Sequence, residues 1–169
     1  RWVADETCRF LRSTAAAAED EAEPFFLFSS FVRPHSPYNP LARFAELYKE
    51  ADISAPEFTS EEWELLPPRV RATAQSWGWD KLTPADFAEV RRHYYALCTQ
   101  VDENIGRILS CLDELSLTDS TLIIFTSDHG DFLGEHGLLF KEHLYDARFI
   151  SRLLFTRPII REAPGAIRS

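Results

Sequence analysis

The stretch that most constrains the fold runs from Thr83 to Thr126. Thr83-Pro84-Ala85-Asp86 supplies a capping hydroxyl, a proline at the first helical position and an acid three residues after the cap, the combination that starts a helix. Phe87, Val90, Tyr94, Leu97, Val101, Ile105, Ile108, Leu112 and Leu115 then recur at spacings of three and four, while Arg91, Arg92, Glu103, Asn104 and Arg107 fall elsewhere. That periodicity predicts one long helix from 84 to about Leu115 whose apolar stripe must lie on a core. Thr118-Asp119-Ser120 predicts a turn, and the β-branched, apolar run Thr121-Leu122-Ile123-Ile124-Phe125-Thr126 predicts a strand.

A second strand is expected earlier. Phe25-Phe26-Leu27-Phe28-Ser29-Ser30-Phe31 is a nearly continuous apolar run closed by Arg33-Pro34, the pattern of a strand buried on both faces of a parallel sheet. Strand, helix, strand in this order predicts an open α/β sheet, in which ligands sit beyond the carboxyl ends of the strands. Before it, Asp5 to about Glu23 is expected to be helical, rich in alanine and ending in acids before Pro24. Prolines at 34, 37, 40, 56, 67 and 68 predict a mostly irregular stretch with one short helix near Leu41 to Glu50, and loops reaching on to Trp79. Trp63, Trp77 and Trp79 in that stretch could wall a pocket or simply pack. Residues 1–169 are expected to form a single domain, and a first residue Arg1 with an interior-like Arg157-Pro158-Ile159-Ile160-Arg161 reads as part of something longer.

With 18 Lys plus Arg against 27 Asp plus Glu, the formal charge of −9 repels phosphate backbones and anionic membrane surfaces. Neither a nucleic acid nor a membrane is therefore an expected partner. The three cysteines, Cys8, Cys98 and Cys111, show no Cys-x-x-Cys spacing, which suggests neither a zinc knuckle nor a disulfide framework. On one helix Cys98 and Cys111 would lie about 220° apart, too far around to pair. Unpaired thiols lean toward a reducing, cytoplasmic compartment, although nothing else addresses localisation.

Chemistry concentrates after the two predicted strands. Asp128 and His129 are adjacent at a strand end, and Gly130 lets the backbone turn so that a carboxylate oxygen and an imidazole nitrogen can face one divalent ion. The same dipeptide also serves as ordinary turn chemistry. Lys141 follows three apolar residues and could bring an ammonium to an anionic substrate, or could be a surface lysine. His35, between Pro34 and Pro37, sits on stiff backbone, which suits a histidine that moves a proton but equally a solvated loop residue.

Phe31-Val32-Arg33-Pro34-His35-Ser36-Pro37-Tyr38, the helix with Tyr94-Tyr95 and Val101-Asp102-Glu103-Asn104-Ile105-Gly106-Arg107, and Thr126-Ser127-Asp128-His129-Gly130-Asp131 with Leu133-Gly134-Glu135-His136-Gly137 and Lys141 together resemble the sulfatase family of the alkaline phosphatase superfamily. Arylsulfatases, iduronate-sulfatase-like enzymes and phosphonate monoester hydrolases fall in that group. The resemblance implies an incomplete three-layer α/β sandwich with a mostly parallel sheet. It places Asp128 and His129 on one pair of metal ligands, for calcium most often and manganese or magnesium in some relatives. Lys141 falls on the lysine that contacts the transferred group, and His35 on the histidine near the leaving oxygen.

The nucleophile of this family lies in a Cys-x-Pro-x-Arg or Ser-x-Pro-x-Arg motif and is matured to formylglycine, and an earlier aspartate pair completes the metal site. Neither motif occurs in residues 1–169, and after Tyr145-Asp146 the chain has Ala147-Arg148 and Ser151-Arg152 in place of the usual acid-serine pair. The expectation is a hydrolase of sulfate esters acting on a small anionic substrate, with the nucleophile and a C-terminal part outside this sequence and no turnover by residues 1–169 alone. The alternatives are a phosphonate or phosphate ester hydrolase of the same superfamily, and a noncatalytic remnant that only binds.

Overall fold

The computed structural model describes residues 1–16 and 24–141, and the backbone of 154–156. Among the described residues are five α-helices, α1 (Trp2–Ala15), α2 (Ala42–Ala45), α3 (Ser60–Leu65), α4 (Pro68–Trp77) and α5 (Pro84–Glu114), and two strands, β1 (Ile123–Phe125) and β2 (Leu154–Thr156). They group into two compact units. One contains 1–16, 24–31, 102–125 and 154–156, and the other 32–101 and 126–141.

Helix α5 has 31 residues and begins where the capping pattern placed it. The Thr83 backbone N–H donates to Asp86 Oδ2 at 2.7 Å, and the Asp86 N–H donates back to Thr83 Oγ1 at 3.3 Å. These bonds satisfy donors that a helix start otherwise leaves open. Phe87, Leu97 and Leu112 of the predicted stripe are buried, and so is Asn104, which the polar assignment had placed elsewhere.

In the first unit, Cys8 and Leu11 of α1 pack on Cys111 and Leu112 of α5, with Phe25, Ile108, Leu115, Leu117 and Ile123 around them. The α1 helix ends at Ala15, short of the expected Glu23, and 17–23 lie outside the described residues. Among the described residues the expected pairing of 25–31 with the 122–126 strand is not formed. Strand β1 pairs antiparallel with β2, Ile123 opposite Thr156 and Phe125 opposite Leu154. Phe25 to Phe31 carries no ladder among the described residues: Phe26 is 89% exposed and Phe28 74%. A run that apolar becomes a doubly buried strand only with strands beside it and helices on both faces. Among the described residues this run has α1 beside it, through Phe10–Phe25 and Thr7–Ser29, but no neighbouring strand. Leu122, Ile124 and Phe125 are likewise exposed.

In the second unit, α3 starts on a capping box between Thr59 and Glu62. Helix α4 starts with Pro68 at its first turn and ends at Gly78, whose φ of 74° lies in the left-handed region. Both helices occupy sequence that the prolines had marked as irregular. A proline in the first helical turn gives up only a donor that has no partner there, so Pro68 opens a helix. Leu66, Val70, Ala74 and Trp79 then pack with Phe87 of α5 and with Phe132, Leu138 and Leu139. Phe87 and Phe132 are almost wholly buried, and each such ring contributes about 2–3 kcal/mol. Trp79 belongs to this core and Trp63 packs against it, whereas Trp77 is 60% exposed.

Candidate active site

Residues 131–141 of the second unit form a closed loop. Its ends are joined by the Phe132 N–H donating to the Phe140 carbonyl at 2.9 Å and the Gly134 N–H to the Leu138 carbonyl at 2.8 Å. Inside, Leu133, Gly134, His136, Gly137 and Phe140 all have positive φ. Leu133, His136 and Phe140 hold it against the preference of a side-chain-bearing residue, which costs of order 1 kcal/mol each unless the surroundings impose it. The surroundings do. Asp131 Oδ1 accepts the N–H groups of Leu133 and Phe140 at 3.1 and 3.2 Å. Arg91 of α5 donates from Nε to the Leu133 carbonyl at 2.9 Å and from Nη2 to Glu135 Oε1 at 3.0 Å. Gly134 is required by space as well, because a Cβ there would meet Phe87 Cδ1 at 2.9 Å.

The other oxygen of Asp131 reaches the proline-rich segment. The Tyr38 hydroxyl donates to Asp131 Oδ2 at 2.8 Å, across 93 positions of sequence. Tyr38 also contacts the rings of Tyr94 and Phe140, and its carbonyl lies 2.9 Å from His93 Nδ1. Burial pushes the Asp131 carboxyl above the usual carboxylate range, opposed by the Tyr38 hydroxyl, the two backbone donors and the charge of His35. Burial and the adjacent Asp131 likewise push the Tyr38 hydroxyl up, so it stays a donor. His35 is therefore brought within electrostatic reach of the 126–141 segment.

Around His35 the backbone is held by Arg33. Its guanidinium donates to the carbonyls of His35 and Pro37 at 3.1 and 2.5 Å and to Asn39 Oδ1 at 2.5 Å. His35 Nδ1 lies 2.7 Å from the Ser36 carbonyl. A carbonyl accepts only, so Nδ1 carries the proton and Nε2 is the nitrogen left to exchange one with a ligand.

Asp128 and His129 meet. Asp128 Oδ1 accepts the His129 N–H at 3.0 Å, the turn geometry expected of an aspartate at a strand end, and Oδ2 lies 3.4 Å from His129 Nε2. His129 Nδ1 sits 2.7 Å from the Gly130 carbonyl, which leaves Nε2 as the lone-pair nitrogen. Lys141 follows Phe140, whose N–H is on Asp131, so its main chain is held at the end of the closed loop. Tyr38 and Asp131 fall inside the motif blocks but carry no role assigned from sequence, and Arg91 reads there only as lying off the apolar stripe. The one available signal was that Tyr38 and Asp131 each sit three or fewer residues from a candidate group.

Among the described residues no helix is long and apolar enough to cross a membrane. The sulfatase family model matches residues 3–151. This chain belongs to the sulfatase family. It is 32% identical over 150 residues to a choline-sulfatase of Rhizobium meliloti (strain 1021), covering 87% of this chain and 29% of the relative. It is 36% identical over 151 residues to the iduronate 2-sulfatase of Homo sapiens, covering 81% and 27%. Among solved structures, the phosphonate monoester hydrolase of Agrobacterium radiobacter superposes with a TM-score of 0.74 at 26% identity, over 94% of this chain and 33% of that one. The chain thus spans a third or less of the length of these relatives, and its fold is of the sulfatase and alkaline phosphatase-like kind.

Members of this family are hydrolases that generally use a metal ion and formylglycine. The Asp128 and His129 donors fit such an ion: two ligands at right angles around a cation with bonds of about 2.1–2.5 Å lie roughly 3.0–3.5 Å apart, and the observed separation is 3.4 Å. Among the described residues no group of three or more His, Cys, Asp or Glu side chains is placed to hold a metal.

Proposed function

We propose that this chain forms the leaving-group side and part of the metal site of a sulfate-ester hydrolase. The observation that carries this reading is the Tyr38–Asp131 bond, which ties the His35 loop to the segment bearing Asp128, His129 and Lys141. Family membership and the adjacent donors of Asp128 and His129 support it.

Asp128 and His129 would hold a divalent ion, calcium by family resemblance, which when bound neutralises charge on the non-bridging oxygens of the substrate. Lys141 binds the same anionic group, which is common to every substrate. His35 gives a proton from Nε2 to the departing oxygen as the ester bond breaks, and this requires the doubly protonated ring because Nδ1 keeps its proton on the Ser36 carbonyl. A formylglycine nucleophile would come from sequence outside residues 1–169. In the whole protein we infer that the run from Phe25 to Phe31 and the β1 segment enter a three-layer sandwich with a mostly parallel sheet, a reading supported by the superposition on the phosphonate monoester hydrolase. That same likeness favours phosphonate or phosphate esters as the second substrate class.

The experiment uses the whole protein with His35→Ala and Lys141→Ala against sulfate and phosphonate esters of graded leaving groups. Lys141→Ala should lower turnover by a similar factor for all. His35→Ala should cost about 100-fold or more for alkyl esters and little for activated aryl esters, the range of general acid catalysis. A uniform loss in His35→Ala would make its role positional, and unchanged turnover in both variants would overturn the site.

A further inference from the structure

Cys8 and Cys111 lie in one helix contact of the first unit. The Cys111 thiol is placed to donate to the Cys8 carbonyl at 3.9 Å, across 103 positions, and the Cys8 thiol to the carbonyl of Arg107 at 3.8 Å, one turn before Cys111 on α5. Both residues belong to one buried cluster, with Leu11 and Leu112, so the two cysteines share one packed contact. Burial first, and then the neighbouring Cys8, push the Cys111 thiol up. Both cysteines are free.

Although each is nearly buried, both also line a cavity of about 470 Å³ whose wall includes Arg12, Arg107, Glu103 and Ser110. Arg107 is held there by its ion pair with Asp5 at 2.5 Å. A small reagent can therefore approach the sulfurs through a polar opening, where the charge of Arg12 opposes part of the burial that raises the Cys111 thiol. Cys98 lies outside this cluster, and burial pushes its thiol up to about 11.

We propose that Cys8 and Cys111 form a dithiol modification site that small disulfides convert reversibly to an intramolecular disulfide joining α1 to α5. One thiolate attacks the S–S bond of the reagent, forming a mixed disulfide and releasing one reagent thiolate. The second thiolate then attacks the protein sulfur of that mixed bond, forming Cys8–S–S–Cys111 and releasing the other. Two protein S–H bonds are lost, their protons end on the reagent thiols, and the reagent's disulfide is reduced as the cysteines are oxidised. This site is independent of the proposed ester hydrolysis.

The test needs no variant. Folded protein is incubated with oxidised glutathione, alkylated, and digested with trypsin without reduction. The three cysteines fall in separate peptides, Trp2–Arg9, His93–Arg107 and Ile108–Lys141. The expected result is loss of two titratable thiols, with Trp2–Arg9 joined to Ile108–Lys141, restored by dithiothreitol and unchanged in Cys98→Ser. The same treatment in urea should lose this selectivity and yield links to Cys98 as well. Folded protein in which Cys8 and Cys111 stay reduced, or each carry glutathione without joining, would overturn the proposal.

Discussion

Removing one oxygen atom tests whether the two motif-bearing segments are coupled through Asp131. Tyr38→Phe deletes the hydroxyl that Asp131 Oδ2 accepts at 2.8 Å and keeps the ring against Tyr94 and Phe140. A hydrogen bond to an ionised acceptor contributes about 1.5–3 kcal/mol, and the lower half of that range applies because Asp131 is only partly buried. Tyr38→Phe should therefore cost about 1.5–2 kcal/mol. Asp131→Asn keeps an oxygen for the Leu133 and Phe140 donors, so it should cost a similar amount, whereas Asp131→Ala also orphans both donors and should cost about 4 kcal/mol or more. Because both single changes to Phe and Asn weaken one bond, the double variant should fall short of additivity by about 1 kcal/mol. Urea unfolding with an unchanged slope gives these values. Additivity within about 0.3 kcal/mol would mean that the two residues do not interact. In the whole protein, Tyr38→Phe should also lower kcat/KM by roughly tenfold, since small misplacements of a proton donor are costly.

Other perturbations separate backbone, charge and covalent effects. Gly134→Ala places a Cβ 2.9 Å from Phe87 Cδ1 at a φ of 95°, and should destabilise by about 2–3 kcal/mol, read from the urea midpoint; a neutral result would mean that the closed loop yields. The Thr83 hydroxyl and N–H hold the Asp86 carboxyl below its usual range. Its folded form is thus the weaker proton binder, so its stabilisation is present above the usual carboxylate range and is lost as pH falls through the folded value. Asp86→Asn should flatten that acid limb of the stability profile. Oxidation of Cys8 and Cys111 closes 103 positions and should raise unfolding free energy by about 4–5 kcal/mol; an unchanged midpoint would refute an unstrained link.

Local signals were legible where one element carries its own instructions. The Thr83-Pro84-Ala85-Asp86 start and the stripe from Phe87 to Leu115 specify α5 without reference to the rest of the chain. The run from Phe25 to Phe31 is different, because a ladder is a property of two segments and an apolar run cannot state which neighbour it has. Pro67-Pro68 reads as a break until one asks which helical position the second proline takes. In the candidate site, the contact between Asp128 and His129 was foreseeable because the two residues are adjacent. Tyr38 with Asp131, and Cys8 with Cys111, are separated by 93 and 103 positions, and no spacing rule connects residues that only tertiary packing brings together.

Arg33 spends its guanidinium on the loop that follows it. Two of its three acceptors are main-chain carbonyls, those of His35 and Pro37, and a carbonyl is present whatever side chain is attached. The shape of this turn is therefore insulated from much of its own sequence. Among descendants of such a chain, the groups displayed at 35 and 36 can be exchanged with the path of the turn retained, as long as Arg33 remains. Inherited variation in the turn would then register first as altered chemistry at its tip, and a change at Arg33 as collapse of the display itself.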